Sequence, residues 1–446
     1  MRLKSINVTD LFGLFNHYIP LNSDERITII HGPNGYGKTA VLRLISDVFT
    51  ARHTAIRELP FSKLELELSD SRTLVVSKES STADADVSRI VYSCAQNEPF
   101  ELGHNWHLDA HISSIDRYVP GLSRMAPDEW YWNTTGETLG IDEVIERFAD
   151  RLPDNISMVP YPKWLADIRD SLDVHFIKAN RLDSGRETAR PYRRRKRKNA
   201  MSVVVNYSEE ITEHINRTLA KYAELSQSLD RSFPQRLVTS GGSPAMSMET
   251  IRARLSDLET KRKRLTDAGL LDKEEEAHFN PAALDDTKAE VLTLYISDVE
   301  RKLAEFDNLY ARIDLLKTIL NRRFSFKTVS VSKSDGIEFF SESGGPLAPN
   351  FLSSGEQHEV VLLYQLLFRV KANALILIDE PELSLHIAWQ EQFLEDLEQV
   401  TAISSFDVLV ATHSPQIISG RWDLTVALKG PEECSTTSRT TASRTP

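Results

Sequence analysis

The sequence predicts an α/β fold: a mixed sheet with an antiparallel portion, and a helical arm inserted between its two parts. Three observations carry this. The apolar run Arg26-Ile27-Thr28-Ile29-Ile30-His31 ends in the glycine loop Gly32-Pro33-Asn34-Gly35-Tyr36-Gly37, and apolar residues at helical spacing follow (Ala40, Val41, Leu44, Ile45, Val48). Two further runs, Leu375-Ile376-Leu377-Ile378 and Leu409-Val410-Ala411, are continuously apolar, as strands covered on both faces must be. Between these ends lies a long stretch with the three-to-four spacing of helices.

The bulk properties fit one large chain with an insertion. It has 446 residues, 41% hydrophobic and 26% charged, as in an ordinary soluble protein. A net charge of −12 argues against coating nucleic acid with the whole surface, while leaving room for a local basic patch. Only Cys94 and Cys434 are present, so a disulfide framework is not expected and a reducing cytoplasm suits the chain. Met1 to Val8 alternates like a strand rather than a signal peptide, and no apolar run of about 18 residues predicts a membrane span.

Taken in order, Leu3, Ile6 and Val8 lead through a turn at Gly13 to a second strand at Tyr18-Ile19-Pro20-Leu21. Leu64–Leu68 and Thr73–Val76 read as a hairpin through Ser69-Asp70-Ser71. Residues 97–170, with Trp106, Trp130, Trp132 and Trp164, read as an elaboration of the first lobe, and Val174–Ala179 as a buried strand. The basic run Arg193-Arg194-Arg195-Lys196-Arg197-Lys198 precedes the helices. Their best stripe runs Leu292, Ile296, Val299, Leu303, Phe306, Tyr310, Ile313, Leu320. It predicts a last helix of about 60 Å if straight, within a helical hairpin or short coiled coil. Breaks are expected at Gly241-Gly242-Ser243-Pro244 and near Asn280-Pro281. Past Arg323 the period becomes two, with Phe326, Val329 and Val331 facing Ile337–Phe340 across Asp335-Gly336. The expected divisions are 1–185, 186–323, 324–430 and a disordered tail at 431–446.

Chemistry concentrates in four places. Gly32 to Thr39 matches G-x-x-x-x-G-K-[ST], in the strand–loop–helix setting that pattern needs. Gly32, Asn34, Gly35 and Gly37 would let backbone amides wrap phosphate oxygens, Lys38 would reach the β- and γ-phosphates of ATP, and Thr39 would place its hydroxyl on Mg2+. A glycine turn opening an ordinary helix is the bland alternative. Asp379 ends the Leu375–Ile378 strand and suits the magnesium shell; Glu380 suits a base that polarises water. Taken alone, the pair is equally two acidic residues opening a loop. His413 ends the next strand, either as a γ-phosphate contact or as a packed histidine. Leu352-Ser353-Ser354-Gly355-Glu356-Gln357 opens an apolar helix, as an anion site and as a capping box at once, with Ser353, Gly355 and Glu356 as candidate ATP contacts. His104, His107, His111 and Asp109 are read as incidental loop residues rather than a metal site.

In this order the four elements resemble the ABC-type ATPase head of the SMC, RecF and OLD-like families, over roughly residues 1–100 and 325–430. The resemblance implies a head-to-head dimer or larger oligomer, with Ser353 and Gly355 of one copy closing over ATP held by Lys38 of the other. It also implies Glu380 as the catalytic carboxylate and His413 as the switch histidine. Two positions depart from the pattern. Glu382-Leu383-Ser384-Leu385-His386 puts a histidine where an aspartate is usual, and Gln96 is the candidate for the Q-loop glutamine. The chain looks most like ATPase subunits of prokaryotic anti-phage systems, the PARIS type above all. There the resemblance implies an oligomeric scaffold holding a separate toxic nuclease, since no TOPRIM-like segment follows His413 and Trp422. A RecF- or SMC-like repair ATPase is the alternative, with nucleic acid at Arg193–Lys198, a run that could equally be a solvated loop or an anchor for an acidic protein. A transporter's nucleotide-binding subunit fits poorly.

Overall fold

The structure is a computed structural model that describes residues 1–50, 52–80, 88–95, 97–102, 115–126, 129–133, 136–148, 161–177, 195–239, 246–272, 289–383, 385 and 387–431. Trp106, Gln96, the histidines at 104, 107, 111 and 386, the glycine break at 241–244, the Asn280-Pro281 break and the tail beyond 431 lie outside those residues. The chain forms two compact units, Met1–Ala200 with Arg369–Pro446, and Met201–Phe368. Residues 324–368, grouped by sequence with the closing lobe, cluster instead with the helices of the second unit.

In the first unit, β1 (Leu3–Leu11) and β2 (Phe15–Pro20) pair antiparallel around the Gly13 turn. After β3 (Ile27–His31), α1 (Lys38–Phe49) and α2 (His53–Glu58) come β4 (Lys63–Leu68), β5 (Thr73–Ser80), β6 (Ser88–Cys94) and β7 (Phe100–Leu102). The antiparallel sheet has the order β2-β1-β4-β5-β6-β7. Alternation explains its one-sided core: Leu64, Leu66 and Leu68 are buried while Lys63, Glu65 and Glu67 stay partly open. The predicted elaboration is a small sheet, β8 (Leu122–Ala126), β9 (Glu129–Trp132) and β10 (Glu137–Gly140), with α3 (Ile115–Tyr118) and α4 (Ile141–Arg147). Its tryptophans do separate work. Trp130 is fully buried among Ile115, Val119, Val144 and Phe148, whereas Trp132 stays partly open under the Arg147 guanidinium, 4.0 Å above its ring. Then α5 (Lys163–Ser171) leads into β11 (Val174–Ile177), the edge of a parallel sheet.

The second unit opens with α6 (Arg195–Thr239), 45 residues long and about 68 Å at the usual rise. It continues through α7 (Met248–Asp267), α8 (Ala289–Ala304) and α9 (Asp307–Arg323). The predicted 60 Å last helix is therefore two helices of 16 and 17 residues, each about 25 Å. Phe306 is the cause. It is fully buried, with its ring 5.3 Å from that of Tyr222, and its amide donates to Leu303 three residues back, which interrupts the helical ladder. Arg236 on α6 grips Asp298 on α8 through two bonds of 2.6 Å. Next, β12 (Lys327–Ser332), β13 (Gly336–Ser341) and β14 (Pro346–Leu347) form an antiparallel sheet. Gly336 has φ 68°, and a Cβ there would sit 2.0 Å from the Ser208 carbonyl, so the Asp-Gly turn is also a close approach to α6. Phe326, expected in the strand, precedes it at φ 63° with its ring exposed. The unit closes with α10 (Ser354–Tyr364) and a π-turn at Gln365–Arg369.

The chain then returns to the first unit as β15 (Leu375–Asp379), α11 (Ile387–Gln390), α12 (Phe393–Ser404), β16 (Asp407–Thr412), α13 (Pro415–Ile418) and β17 (Thr425–Ala427). The parallel sheet has the order β11-β15-β16-β3-β17. Every residue of β15 and β16 is buried, which is what their unbroken apolar runs require. The register pairs Asp379 with Ala411, Ala411 with Ile30 and Thr412 with His31. Three chain segments therefore leave the sheet side by side at its carboxyl edge, where open α/β sheets bind ligands.

Candidate functional site

The glycine loop occupies that edge between β3 and α1. Gly35 and Gly37 have φ of 89° and 83°, conformations costly for any residue with a Cβ. At Gly37, which caps α1, an added Cβ would also lie 2.6 Å from Leu11 Cδ2. Only glycine lets the loop close here and aim the first-turn amides of α1 outward. His17, a residue the sequence reading passed over, braces the loop: its Nε2 lies 2.8 Å from the Tyr36 carbonyl. Burial keeps His17 below the ordinary histidine pKa, so Nε2 serves as a neutral donor. The Lys38 ammonium is buried and donates back to the Gly32 carbonyl at 2.7 Å and that of Pro33 at 3.3 Å. It rests on the rim of the loop it is expected to serve.

Strand β15 brings the carboxylates to the same place. Thr39 Oγ1 donates to Asp379 Oδ1 at 3.0 Å, joining residues 340 apart in the chain. Burial raises the Asp379 pKa; Glu380 and Glu382 push it the same way, and the Thr39 bond and Arg43 pull it back. Glu380 has φ 44°, a left-handed conformation uncommon for a side-chain-bearing residue, and its amide donates to the Ala411 carbonyl at 2.8 Å. The chain thus turns sharply off the strand, carrying Glu380 past Asp379 toward β16.

His413 follows β16. Its Nδ1 lies 3.0 Å from Glu382 Oε1 and 3.9 Å from Glu380 Oε1. Glu382, to which the sequence reading gave no role, also accepts from Thr412 Oγ1 at 2.7 Å and from the His413 amide at 3.1 Å. The run Asp-Glu-Pro-Glu contains it, but nothing local in that run points to a residue 31 positions onward. Beside His413 opens a cleft of about 420 Å³, lined by His31, Gly32, Pro33, Asn34 and Trp422. Trp422 stands edge-on to His31, ring centres 5.6 Å apart, with half its surface exposed. Gly32, Asn34, Gly35, Gly37, Lys38, Thr39, Asp379, Glu380 and His413 are thus gathered in one unit.

Ser353, Gly355 and Glu356 belong to the second unit, at the start of α10. Ser353 Oγ accepts from the Glu356 amide at 3.3 Å, and Glu356 Oε2 accepts from the Ser353 amide at 2.6 Å, completing the capping box. Lys327 on β12 holds both Glu356 oxygens, at 2.9 and 2.7 Å. Burial raises the Glu356 pKa, but the bonds from Lys327 and Ser353 outweigh it and leave the carboxyl below its ordinary value. Its oxygens are therefore engaged within the unit. A space-adding side chain at Gly355 would meet nothing within 4 Å, so that position is open.

Comparison with known proteins agrees with a nucleotide-binding reading. A family model described as "AAA ATPase domain" matches residues 1–418. No curated protein matches this chain. Among solved structures the chain is similar to the Smc head domain with an extended coiled coil, bound to the C-terminal domain of ScpA, from Pyrococcus furiosus. The identity is 12% over 96% of this chain and 94% of that one, with a TM-score of 0.37. The SMC head domain from Thermotoga maritima is similar at 12% identity, covering 94% of this chain and 91% of that one, with a TM-score of 0.36. Likeness at this level does not bear on what this chain binds or assembles with.

Proposed function

The chain belongs to the AAA ATPase domain family, and from that premise we propose that it binds ATP at the carboxyl edge of its parallel sheet and hydrolyses it to ADP and phosphate. The contact between Thr39 and Asp379, 3.0 Å across 340 residues of chain, carries the reading. Lys38 exchanges the Gly32 and Pro33 carbonyls for the β- and γ-phosphate oxygens, and the amides of residues 34–39 wrap the phosphates. Glu380 accepts a proton from a water whose oxygen attacks the γ-phosphorus as the bond to the β–γ bridging oxygen breaks. His413 faces the γ-phosphate from the far side. The donor set fits Mg2+: Thr39 and Asp379 offer hard oxygens, and Asp379 is a desolvated carboxylate beside two others, a grouping a divalent cation would relieve. Bound there with ATP, the ion would neutralise charge on the phosphates.

Completing the site takes a second copy, whose Ser353 and Gly355 close over the nucleotide in a head-to-head dimer or larger oligomer. The resemblance to PARIS-type systems supports a cytoplasmic scaffold that restrains a separate nuclease effector and releases it during phage infection. A second reading, a DNA-binding ATPase of the RecF or SMC-like kind, draws on the basic run Arg193–Lys198. No helix among the described residues is long and apolar enough to cross a membrane.

Lys38→Ala should abolish ATP binding, read by calorimetry. Glu380→Gln should bind ATP while kcat falls about 10²- to 10⁴-fold, the usual worth of a general base. Equal turnover in wild type and Glu380→Gln would remove Glu380 from its role. Stimulation by DNA would favour the second reading, and co-purification of an effector that is toxic once released would favour the first.

A further inference from the structure

We propose that Glu382 is a positioning residue that fixes His413 as the tautomer protonated at Nδ1, reserving Nε2 for the γ-phosphate. The proposal deepens the ATP-hydrolysis reading and rests on it for the identity of the ligand. Two donors converge on one carboxylate oxygen, the Thr412 hydroxyl at 2.7 Å and the His413 amide at 3.1 Å, and His413 Nδ1 lies 3.0 Å from the same oxygen. The Thr412 hydroxyl is itself fixed by the Ser414 amide, which donates to it at 3.0 Å. The backbone around Glu382 is pinned as well. Gln390 Nε2 donates to the Glu382 carbonyl at 3.1 Å and to that of Leu385 at 3.3 Å, holding the turn at Pro381–Leu383.

Its second oxygen, Oε2, is buried and has no hydrogen-bond partner among the described residues. A charge kept out of water in this way is costly unless something nearby answers it. The His413 ring lies against the same carboxylate. Among the described residues, Glu380, 3.9 Å from the same ring nitrogen, and His31, across the cleft, also face His413. A carboxylate on one ring nitrogen sets the tautomer and the ring plane, and it balances the charge when the other nitrogen is protonated. His413 lines the cleft beside the glycine loop, so Nε2 is the nitrogen left to face a phosphate there; it donates only once it gains a proton, and Glu382 then balances the charge of the ring. Glu382 itself touches no reacting atom.

The test is the ring of His413 in the full chain without nucleotide, labelled with ¹⁵N-histidine and assigned through His413→Gln. The expected spectrum of the neutral ring has Nδ1 protonated and Nε2 bare; a ring protonated at Nε2 overturns the proposal. Glu382→Ala should release the tautomer and lower kcat about 10- to 100-fold, the range for groups that orient a histidine at a metal, with KM for ATP unchanged. Glu382→Gln, which keeps an acceptor, should keep the tautomer and recover part of the rate. If Glu382→Ala fails to fold, the wild-type and Glu382→Gln spectra still decide. Because the spectra need no ATP, a chain without ATPase activity would defeat the proposed function while leaving Glu382 to be judged on its own.

Discussion

The carboxyl edge of the parallel sheet and the start of α10 are two halves of one proposed ATP site, and their carboxylates are held in different ways. At the sheet edge lie a left-handed Glu380, a desolvated Asp379 and a buried oxygen of Glu382 that has no hydrogen-bond partner among the described residues. At the start of α10, Glu356 is bonded to the Ser353 amide and twice to Lys327, and the Gln357 side chain donates to the Pro349 and Leu352 carbonyls, each at 3.1 Å. One helical turn on, Glu359 forms a buried ion pair with Arg323 at the end of α9. Unsatisfied and strained groups mark places where a ligand completes the structure. The capping-box groups of α10 are instead bonded within their own unit. On the proposed reading the sheet edge reacts and the helix start is presented to it by a second copy, with first-turn amides and the open Gly355 to meet an anion.

The largest effect on that contrast should come from breaking the buried pair. Glu359→Gln removes the negative member of a buried ion pair in the core of the second unit, a loss of about 3–5 kcal/mol. Hydrogen exchange should show it as lost protection in α9 and α10 while β3 and β15 keep theirs; loss spread evenly over both units would refute the contrast. Glu356→Ala should do less, about 0.5–2 kcal/mol, the worth of a helix cap. Its pH dependence has a definite sign. Because the folded carboxyl lies below its ordinary value of 4.5, the stabilisation is complete above 4.5 and is lost as pH falls through the folded value. The gap between wild type and Glu356→Ala should therefore close on acidification, and a gap that widens would show that Lys327 does not hold a carboxylate.

Much of the fold was legible because its signals are local. Glycine at 35 and 37 is demanded by backbone conformation, β15 and β16 by burial on both faces, and the capping box by residues three apart. What escaped was non-local. The hold of Glu382 on Thr412 and His413 spans 30 and 31 residues, and the His17 brace on the Tyr36 carbonyl crosses from one sheet to the loop of another. The stripe from Leu292 to Leu320 reads as one helix because Phe306 keeps the helical spacing; only its packing on Tyr222 shows that the backbone breaks there. Grouping residues 324–368 with the helices likewise depends on contacts, such as the Ser208 hydroxyl to the Ile337 carbonyl and the Tyr364 hydroxyl to Glu210, that no periodicity announces.

The smallest and most discriminating change is Asp379→Asn. It keeps an oxygen for the Thr39 hydroxyl and removes one of three neighbouring negative charges from a buried position. If the sheet edge is held in a strained, charge-crowded state for the sake of its ligand, the apo variant should melt slightly above wild type near neutral pH while losing its ATPase activity. Adding Mg2+ and ATP should reverse the order, since only wild type can be stabilised through that carboxylate. An apo variant that melts below wild type would mean that Arg43 and Thr39 already satisfy Asp379, and the edge would then be no less settled than the start of α10.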